Sequence, residues 1–184
     1  MNRKITAAVA GACLAGSLGT GAIAASGASA PSKTTVKEKQ SLKFVPNRYI
    51  QDGLRWDQDA YPVKSGGTIH LVYNVDSDGP HTLTVVDRKD VPKTAGQIEK
   101  CKICEKLGKA HGADPSSNAP PKFLYLENGV GQDTPPNLDK PGDSAFIAGK
   151  KNSFVDMKVT AKPGTTLYVM CLIHPWMQAR IVTR

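Results

Sequence analysis

The segment Cys171–Met177 has the sequence CLIHPWM and brings a thiol, an imidazole and a thioether within seven positions. The spacing Cys-x-x-His-x-x-Met places these three side chains in one tight loop between the apolar segments TLYVM and ARIV. Two interpretations compete: a metal-binding loop, or the end of a buried strand that contains Cys, His and Met. A free cysteine is often buried and inert, so each residue taken alone favours the second interpretation. The rest of the chain has to decide between them.

The N-terminal residues 1–30 have the layout of a secretory signal peptide. The basic start MNRK precedes an uncharged stretch rich in small residues that ends at Ala30. Cleavage after Ala24 or the next residue is an alternative, because Pro31 follows Ala30. A membrane anchor is disfavoured by the weak hydrophobicity of the stretch, and AGAC at Cys13 resembles a lipobox only loosely. We expect an exported protein, periplasmic or extracellular, with cell-surface association as a variant.

Size and charge fit a single soluble domain with protein partners. The chain has 184 residues, of which 40% are hydrophobic and 22% charged, ordinary values for a globular protein. Its formal net charge is +8, and loss of Arg3 and Lys4 with the signal peptide lowers it to +6. This basic balance suits acidic protein partners or an anionic surface, so contact with a membrane surface is compatible but not required. No basic run exceeds two residues, which argues against nucleic acid.

Cysteine usage leaves one thiol in need of an explanation. Without Cys13 the exported chain has an odd number of cysteines in an oxidising compartment. Cys101 and Cys104, in the motif CKIC, are close enough to pair, which leaves Cys171 over. For CKIC with the nearby His111 three interpretations stay open: a disulfide, a second metal site without an evident fourth ligand, or a reactive dithiol.

Apolar and polar residues alternate over several short segments that are separated by turn residues. GGTIHLVYNV and PHTLTVVD flank the turn DSDG and predict a β-hairpin, and SFVDMKVTA, TLYVMC and ARIVTR predict further strands. The pattern indicates an all-β fold, an antiparallel β-sandwich or barrel.

The predicted domain organisation has two parts after the signal peptide, the second of which contains an insertion. Residues 31–40 are expected to form a polar N-terminal tail, and residues 41–184 the domain. Within the domain, residues 88–145 are rich in Lys, Pro, Gly and Asp and predict a long insertion of loops. The insertion holds a candidate strand, KFLYLE, and a short helix with Thr94 as its N-cap.

A second histidine would complete a known ligand set. Two His, one Cys and a weak, distant Met bind the copper of mononuclear electron-transfer sites. Of the remaining histidines, His81 is the best candidate, because it opens the strand HTLTVV directly after a Gly-Pro turn. His70 lies between the core-facing Ile69 and Leu71 and is expected on the opposite face of its strand, and His111 lies in the insertion.

GPHTLTVVD followed far downstream by TLYVMCLIHPWMQARIVT resembles the cupredoxins, the type 1 blue copper proteins, and the loop is similar to that of their amicyanin and plastocyanin members. The segment KSGGTIHLVYN adds to a resemblance that covers roughly residues 60–87 and 150–184. It implies an eight-stranded Greek-key sandwich and one copper ion per chain that cycles between Cu(I) and Cu(II). The implied equatorial ligands are His81, Cys171 and His174. Met177 is the implied axial ligand, at a longer distance from the metal.

Two features of the sequence qualify the resemblance. Thr82 follows the first ligand histidine where amicyanin and plastocyanin carry Asn, and a threonine can provide part of the same hydrogen bonding to the ligand loop. The positions four before and four after Cys171 are Leu167 and Pro175, so the two-cysteine loop of a binuclear copper centre is absent.

The resemblance implies an electron carrier rather than an enzyme. His174 is expected to be the electron port, with Pro175 and Trp176 as an apolar docking patch for redox proteins with an acidic surface; packing of Trp176 in the core is the alternative. Two other function classes stay open: a copper storage, delivery or sensor protein with the same ligands, and an enzyme whose insertion builds a substrate site. A Cys-His nucleophile has no orienting Asp or Asn in evidence.

Overall fold

A computed structural model of the protein describes residues 29–73, 79–114, 116–117 and 119–184. In this part of the chain no helix combines the length and the apolar character needed to span a membrane. The α-helices are α1 (Ala95–Glu99) and α2 (Lys102–Ala110), after a 3-10 helix at Arg88–Asp90. The strands are β1 (Lys33–Lys39), β2 (Leu42–Val45), β3 (Tyr49–Asp52), β4 (Arg55–Trp56), β5 (Ala60–Val63), β6 (Thr68–Val72), β7 (His81–Val86), β8 (Tyr125–Glu127), β9 (Val130–Gln132), β10 (Ser144–Ile147), β11 (Phe154–Lys158), β12 (Thr166–Met170) and β13 (Gln178–Thr183).

Two sheets face each other and form a β-sandwich. One has the strand order β11-β6-β1-β4 and the other the order β5-β13-β12-β7-β10-β8-β9, while β2 and β3 form a separate two-stranded sheet. Side chains from both large sheets fill the space between them, among them Ile69 and Met157 from the first and Leu83, Val169 and Ile181 from the second. The predicted all-β sandwich is confirmed. The sheets are mixed rather than purely antiparallel, because β1 pairs parallel with β6 and β5 parallel with β13.

The prediction of a polar tail over residues 31–40 is wrong. Lys33–Lys39 forms strand β1, which pairs with β6 and alternates exposed with buried positions. The buried positions carry Thr34, Val36 and Glu38. Because only one of these three is apolar, the segment lacks the period-two hydrophobic signal that identifies a half-buried strand.

The predicted β-hairpin around DSDG is also wrong. Strand β6 pairs with β1 and β11, whereas β7 pairs with β10 and β12 in the opposite sheet. The alternation of side chains identified both strands, but it carries no information on which strand is the neighbour. Residues 74–78, which include most of the predicted turn, and residues 1–28, which include most of the predicted signal peptide, lie outside the described residues.

The predicted insertion adds a third layer to the sandwich. The short helix is confirmed: α1 begins after Thr94, whose side chain accepts a hydrogen bond from the Gln97 backbone N–H. Strands β8 and β9 extend the seven-stranded sheet beyond β10, whose first residues fall within the predicted insertion. Helix α2 packs Leu107 against the outer face of this sheet, where Met170 and Leu126 are fully buried. The insertion is therefore a folded cover for one face of the sandwich.

Val36 tests the assignment of β1. Its side chain is fully buried in the main core, whereas its neighbour Thr35 is exposed. We expect Val36→Ala to lower the free energy of unfolding by about 2 kcal/mol, because that is the typical value of burying a valine side chain. Thr35→Ala should change it by less than about 0.5 kcal/mol. Urea denaturation measures both, and equal small effects would support the polar-tail prediction instead.

Candidate metal centre

The pairing of β7 with β12 brings the first histidine to the ligand loop. In this antiparallel pair Met170 lies opposite Thr84, and Cys171 is the first residue after β12. Continuing the same register sets Leu172 opposite Thr82, so the loop passes beside His81 at the start of β7. Residues far apart in sequence thus meet at one end of the sandwich.

Three potential ligand atoms converge there. His81 Nδ1 lies 3.3 Å from His174 Nδ1, and Cys171 Sγ lies 4.0 Å from His81 Nδ1 and 3.8 Å from His174 Nδ1. His81 and Cys171 are fully buried and His174 is half-buried. The structure therefore brings together three of the four predicted ligands.

These spacings fit a trigonal metal site. In zinc proteins the metal–nitrogen distance is about 2.0–2.1 Å and the metal–sulfur distance about 2.3 Å. Three such ligands around one ion at 120° lie about 3.5 Å apart for two nitrogens and about 3.8 Å apart for nitrogen and sulfur. The observed distances are within about 0.2 Å of these values. Two imidazoles and one thiol in a trigonal arrangement are the donor set of mononuclear copper sites.

Burial sets the protonation of the metal-free site. Burial, with a smaller contribution from the neighbouring His174, lowers the pKa of His81 from 6.5 to about 4. The ring is therefore neutral at physiological pH, the form that binds a metal. Burial raises the pKa of the Cys171 thiol, although hydrogen bonds from the loop and from Thr82 oppose the rise. Metal binding therefore has to displace a proton from Cys171 but none from His81.

Met177 closes the loop. Its backbone N–H donates to the His174 carbonyl at 2.8 Å, and its carbonyl accepts from the Cys171 N–H at 3.0 Å. The side chain is fully buried and belongs to the same core cluster as Cys171. Its role as the axial ligand stays a prediction.

Thr82 is hydrogen-bonded to the ligand loop, as expected from the resemblance to amicyanin and plastocyanin. Its hydroxyl oxygen accepts a hydrogen bond of 2.8 Å from the Leu172 N–H, and its own backbone N–H points to Cys171 Sγ at 3.3 Å. Two contacts from one residue therefore fix the position of Cys171 relative to His81.

The predicted docking patch needs one correction. Pro175 lies in the turn of the loop and is buried, so it adds little to the exposed surface. Trp176 is 40% exposed, and its ring lies 5.3 Å from the ring of His174 in an edge-on arrangement. Ile173, for which the sequence predicts no role, is 44% exposed on the same loop. Ile173 and Trp176 are therefore the exposed apolar side chains of the ligand loop.

The CKIC cysteines and His111 do not form a second metal cluster. Cys101 and Cys104 are joined in a disulfide, one of the three predicted alternatives. His111 is buried, with Nδ1 2.7 Å from the Phe123 carbonyl and Nε2 2.9 Å from the Ser144 hydroxyl. His70 lies on the outer face of its sheet, as predicted, with Nδ1 2.6 Å from an Asp156 carboxylate oxygen.

Two further residues support the site and were missed. Trp56 is buried with its ring edge-on to His81, at 6.1 Å between ring centres. Gln178 donates through Nε2 to the carbonyls of Pro175 and Pro92, at 2.8 and 2.9 Å, and so ties the loop to the start of the insertion. A single Trp or Gln outside a recognisable motif carries no sequence pattern that predicts such a role. The position of Gln178 immediately after the ligand loop was the available indication.

The lowered pKa of His81 predicts acid sensitivity of the metal-free protein. Between pH 6.5 and 4 the unfolded chain binds a proton at this residue that the folded protein excludes, so stability falls as the pH falls. We expect the free energy of unfolding to drop by up to about 3 kcal/mol from this residue alone. Urea unfolding of metal-free protein at pH 7 and pH 4.5 measures the drop. His81→Gln should lose less stability than the wild type over this interval, and an equal loss would contradict the assignment.

No family model matches the chain, and no curated protein matches it. Similar solved structures include reduced auracyanin from Roseiflexus castenholzii, which is 14% identical over 84% of this chain and 98% of that chain, with a TM-score of 0.43. Auracyanin A, a "blue" copper protein from Chloroflexus aurantiacus, is 17% identical over 83% of this chain and 99% of that chain, with a TM-score of 0.41. Rusticyanin from Thiobacillus ferrooxidans is 14% identical over 83% of this chain and 76% of that chain, with a TM-score of 0.33. In its sandwich fold and in its cluster of His81, Cys171 and His174, the chain resembles the cupredoxins, as its sequence predicts.

Proposed function

We propose that this protein is an exported mononuclear type 1 copper protein that carries single electrons between redox partners. The observation that supports the proposal is the convergence of His81 Nδ1, Cys171 Sγ and His174 Nδ1 within 4.0 Å of one another. A copper ion held by these residues supplies a one-electron couple between Cu(I) and Cu(II), and Met177 is the proposed axial ligand.

The rigidity of the ligands suits electron transfer. His81 starts a strand in the interior of the seven-stranded sheet, and Cys171 is held by hydrogen bonds from Thr82 and by its own bond to the Met177 carbonyl. A trigonal set of two nitrogens and one sulfur lies between the geometries that Cu(I) and Cu(II) prefer, so electron gain requires little movement. Burial of both residues keeps water away from the sulfur.

The exposed side of the site provides the proposed route for electrons. His174 is half-buried, so its ring connects the interior to the surface, and Ile173 and Trp176 flank it on the same loop. An apolar surface lets a partner approach closely, because few polar or charged groups have to lose their bound water. The formal charge of +6 that remains after loss of the signal peptide favours redox partners with an acidic docking surface.

Export and a carrier role are supported by two further observations. A Cys101–Cys104 disulfide suits an oxidising compartment, periplasmic or extracellular. Over the described ranges, one group of three or more metal-capable side chains is found, and it is the His81 cluster. This favours one copper per chain and a carrier over an enzyme with additional metal centres.

The visible absorption spectrum tests the copper site. We expect copper-loaded protein to show an intense charge-transfer band from the Cys171 sulfur, and Cys171→Ser to lose it. His81→Gln should weaken or shift the band, whereas His70→Gln, a histidine on the outer face of the other sheet, should leave it unchanged. Metal analysis should give one copper per chain.

Three outcomes would contradict the proposal. An unchanged band in Cys171→Ser would exclude that ligand. A colourless protein that binds only Cu(I) and releases it to a chelating partner would indicate copper storage or delivery. More than one metal ion per chain would reopen an enzymatic role.

Electron self-exchange tests the Ile173–Trp176 surface without knowledge of the partner. Two copies must bring their His174 edges together to exchange an electron, so a polar substitution at Trp176 should slow the reaction. We expect Trp176→Ser to lower the self-exchange rate constant about tenfold, equivalent to about 1.4 kcal/mol. Line broadening in nuclear magnetic resonance (NMR) spectra of mixed oxidation states measures it. Phe154→Ser, at a residue 61% exposed in the other sheet, is the matched control, and equal effects would exclude the Ile173–Trp176 surface.

A further inference from the structure

A line of buried polar side chains leads from the ligand loop into the insertion. The Leu172 N–H donates to Thr82 Oγ1 at 2.8 Å, and Thr84 Oγ1 donates to Thr82 Oγ1 at 3.1 Å. The hydroxyls of Thr84 and Ser144 are 2.7 Å apart, and Ser144 Oγ lies 2.9 Å from His111 Nε2. All four side chains are at most 3% exposed. The line therefore joins a ring at the end of helix α2 to the backbone between Cys171 and His174.

Strand register explains why these groups meet. In β7, Leu83 and Val85 face the main core, so Thr82 and Thr84 face the opposite side of the sheet, where the insertion covers them. Ser144 lies directly opposite Thr84 in the neighbouring strand β10. Buried hydroxyls are costly unless they are hydrogen-bonded, so each of them has to find its partner within this line.

The number of protons in the line depends on His111. A carbonyl oxygen only accepts, so the 2.7 Å contact with Phe123 requires a proton on His111 Nδ1. Because Thr84 donates to Thr82, the contact between Ser144 and Thr84 requires Ser144 to donate. The contact between Ser144 and His111 then requires a proton on Nε2 as well. Every contact is satisfied at once when the ring carries both protons.

Loss of the Nε2 proton reverses the line. Nε2 becomes an acceptor of a hydrogen bond from the Ser144 hydroxyl, and the Ser144 oxygen then accepts a hydrogen bond from Thr84. Thr82 no longer receives a hydrogen bond from Thr84, so its own hydroxyl turns to donate to Thr84. In the first arrangement the Thr82 hydroxyl proton is available to the Cys171 sulfur, which already accepts from the Thr82 backbone N–H at 3.3 Å; hydrogen bonding from Thr82 lowers the pKa of the Cys171 thiol. The two proton states of His111 therefore correspond to two orientations of the hydroxyl beside the sulfur.

We propose that His111 and Ser144 are positioning residues of the metal centre: the protonation of the His111 ring sets the direction of the Ser144, Thr84 and Thr82 hydroxyls, and so decides whether Thr82 donates a hydrogen bond to Cys171 Sγ. The effect on copper rests on the function proposed above. A hydrogen bond to the thiolate reduces its donation to Cu(II) and favours the reduced ion, so the reduction potential is higher when His111 is protonated.

The surroundings of His111 allow its ring to gain and lose a proton. It caps the C-terminus of α2, where the helix dipole favours a cation, and with Thr82 it lines an open cavity of about 660 Å³ through which a proton can arrive. Burial lowers the pKa of His111, opposed in part by the Phe123 carbonyl. The ring therefore protonates at a lower pH than an ordinary histidine. The charged side chains on the elements around it are Lys109, Asp114, Lys122, Asp143 and Lys150.

Copper-free protein provides the first test. Thr84→Val keeps the shape of the side chain and removes the hydroxyl, whereas Thr84→Ser keeps the hydroxyl. We expect the ¹⁵N shifts of the His111 ring to titrate in all three proteins. Part of the pH-dependent shift of the Leu172 amide should follow the His111 midpoint in the wild type and in Thr84→Ser, and be lost in Thr84→Val. A Leu172 titration in Thr84→Val that matches the wild type would overturn the proposal.

The reduction potential of copper-loaded protein provides the second test. In the wild type and in Thr84→Ser it should rise as the pH falls through the His111 midpoint, and this component should be lost in Thr84→Val and in His111→Phe. The part of the pH dependence that arises from the ligand histidines should be the same in all variants. Subtracting the profile of a variant from that of the wild type therefore isolates the His111 component. Absence of the charge-transfer band would refute the copper site and leave the NMR test intact. A normal band with identical pH profiles in all variants would refute the role of His111 and Ser144.

Discussion

The antiparallel pairing of β7 and β12 is the constraint on which the site depends. His81 is the first residue of one strand and Cys171 follows the last residue of the other, so a single register determines their separation. Both strands lie in the interior of the seven-stranded sheet, between β10 and β13. A slip of one residue would turn Leu83 and Val85 out of the core and the threonines into it, so the core itself enforces the ligand geometry.

Burial affects the protonation of His81 and Cys171, the two buried candidate ligands, in different ways. Desolvation keeps His81 neutral and ready to bind, but it also keeps the Cys171 thiol protonated. Hydrogen bonds to the sulfur from Thr82 and from the loop backbone oppose this and favour the thiolate. The loop thus provides part of the stabilisation that a metal ion would complete. Without those donors, a fully buried thiol would have to give up its proton against desolvation alone.

The parts of the site that were predictable from sequence are those encoded locally. The Cys-x-x-His-x-x-Met spacing and a histidine at a strand start were visible in the chain, and the structure brings His81, Cys171 and His174 together. Partners across sheets were not visible. Period-two alternation identified β6 and β7 but not their separation into different sheets, and β1 escaped notice because Thr34 and Glu38 occupy buried positions. The burial of Pro175 depends on how the loop turns, which spacing does not specify.

The insertion changes the chemistry of the strand beneath it. On a two-layer sandwich the outer face of β7 would meet water, and Thr82 and Thr84 would be ordinary solvent-facing residues. Helix α2 and His111 at its C-terminus cover that face, so all six residues of β7 are buried and the hydroxyls must hydrogen-bond within the protein. The first such hydroxyl lies one residue from His81 and contacts the ligand loop. A cover that only shielded the sheet would place apolar residues there, as Leu107 does against Met170. Ser144 and His111 lie at this point instead, and hydrogen bonds connect them through Thr84 and Thr82 to the loop that carries Cys171 and His174.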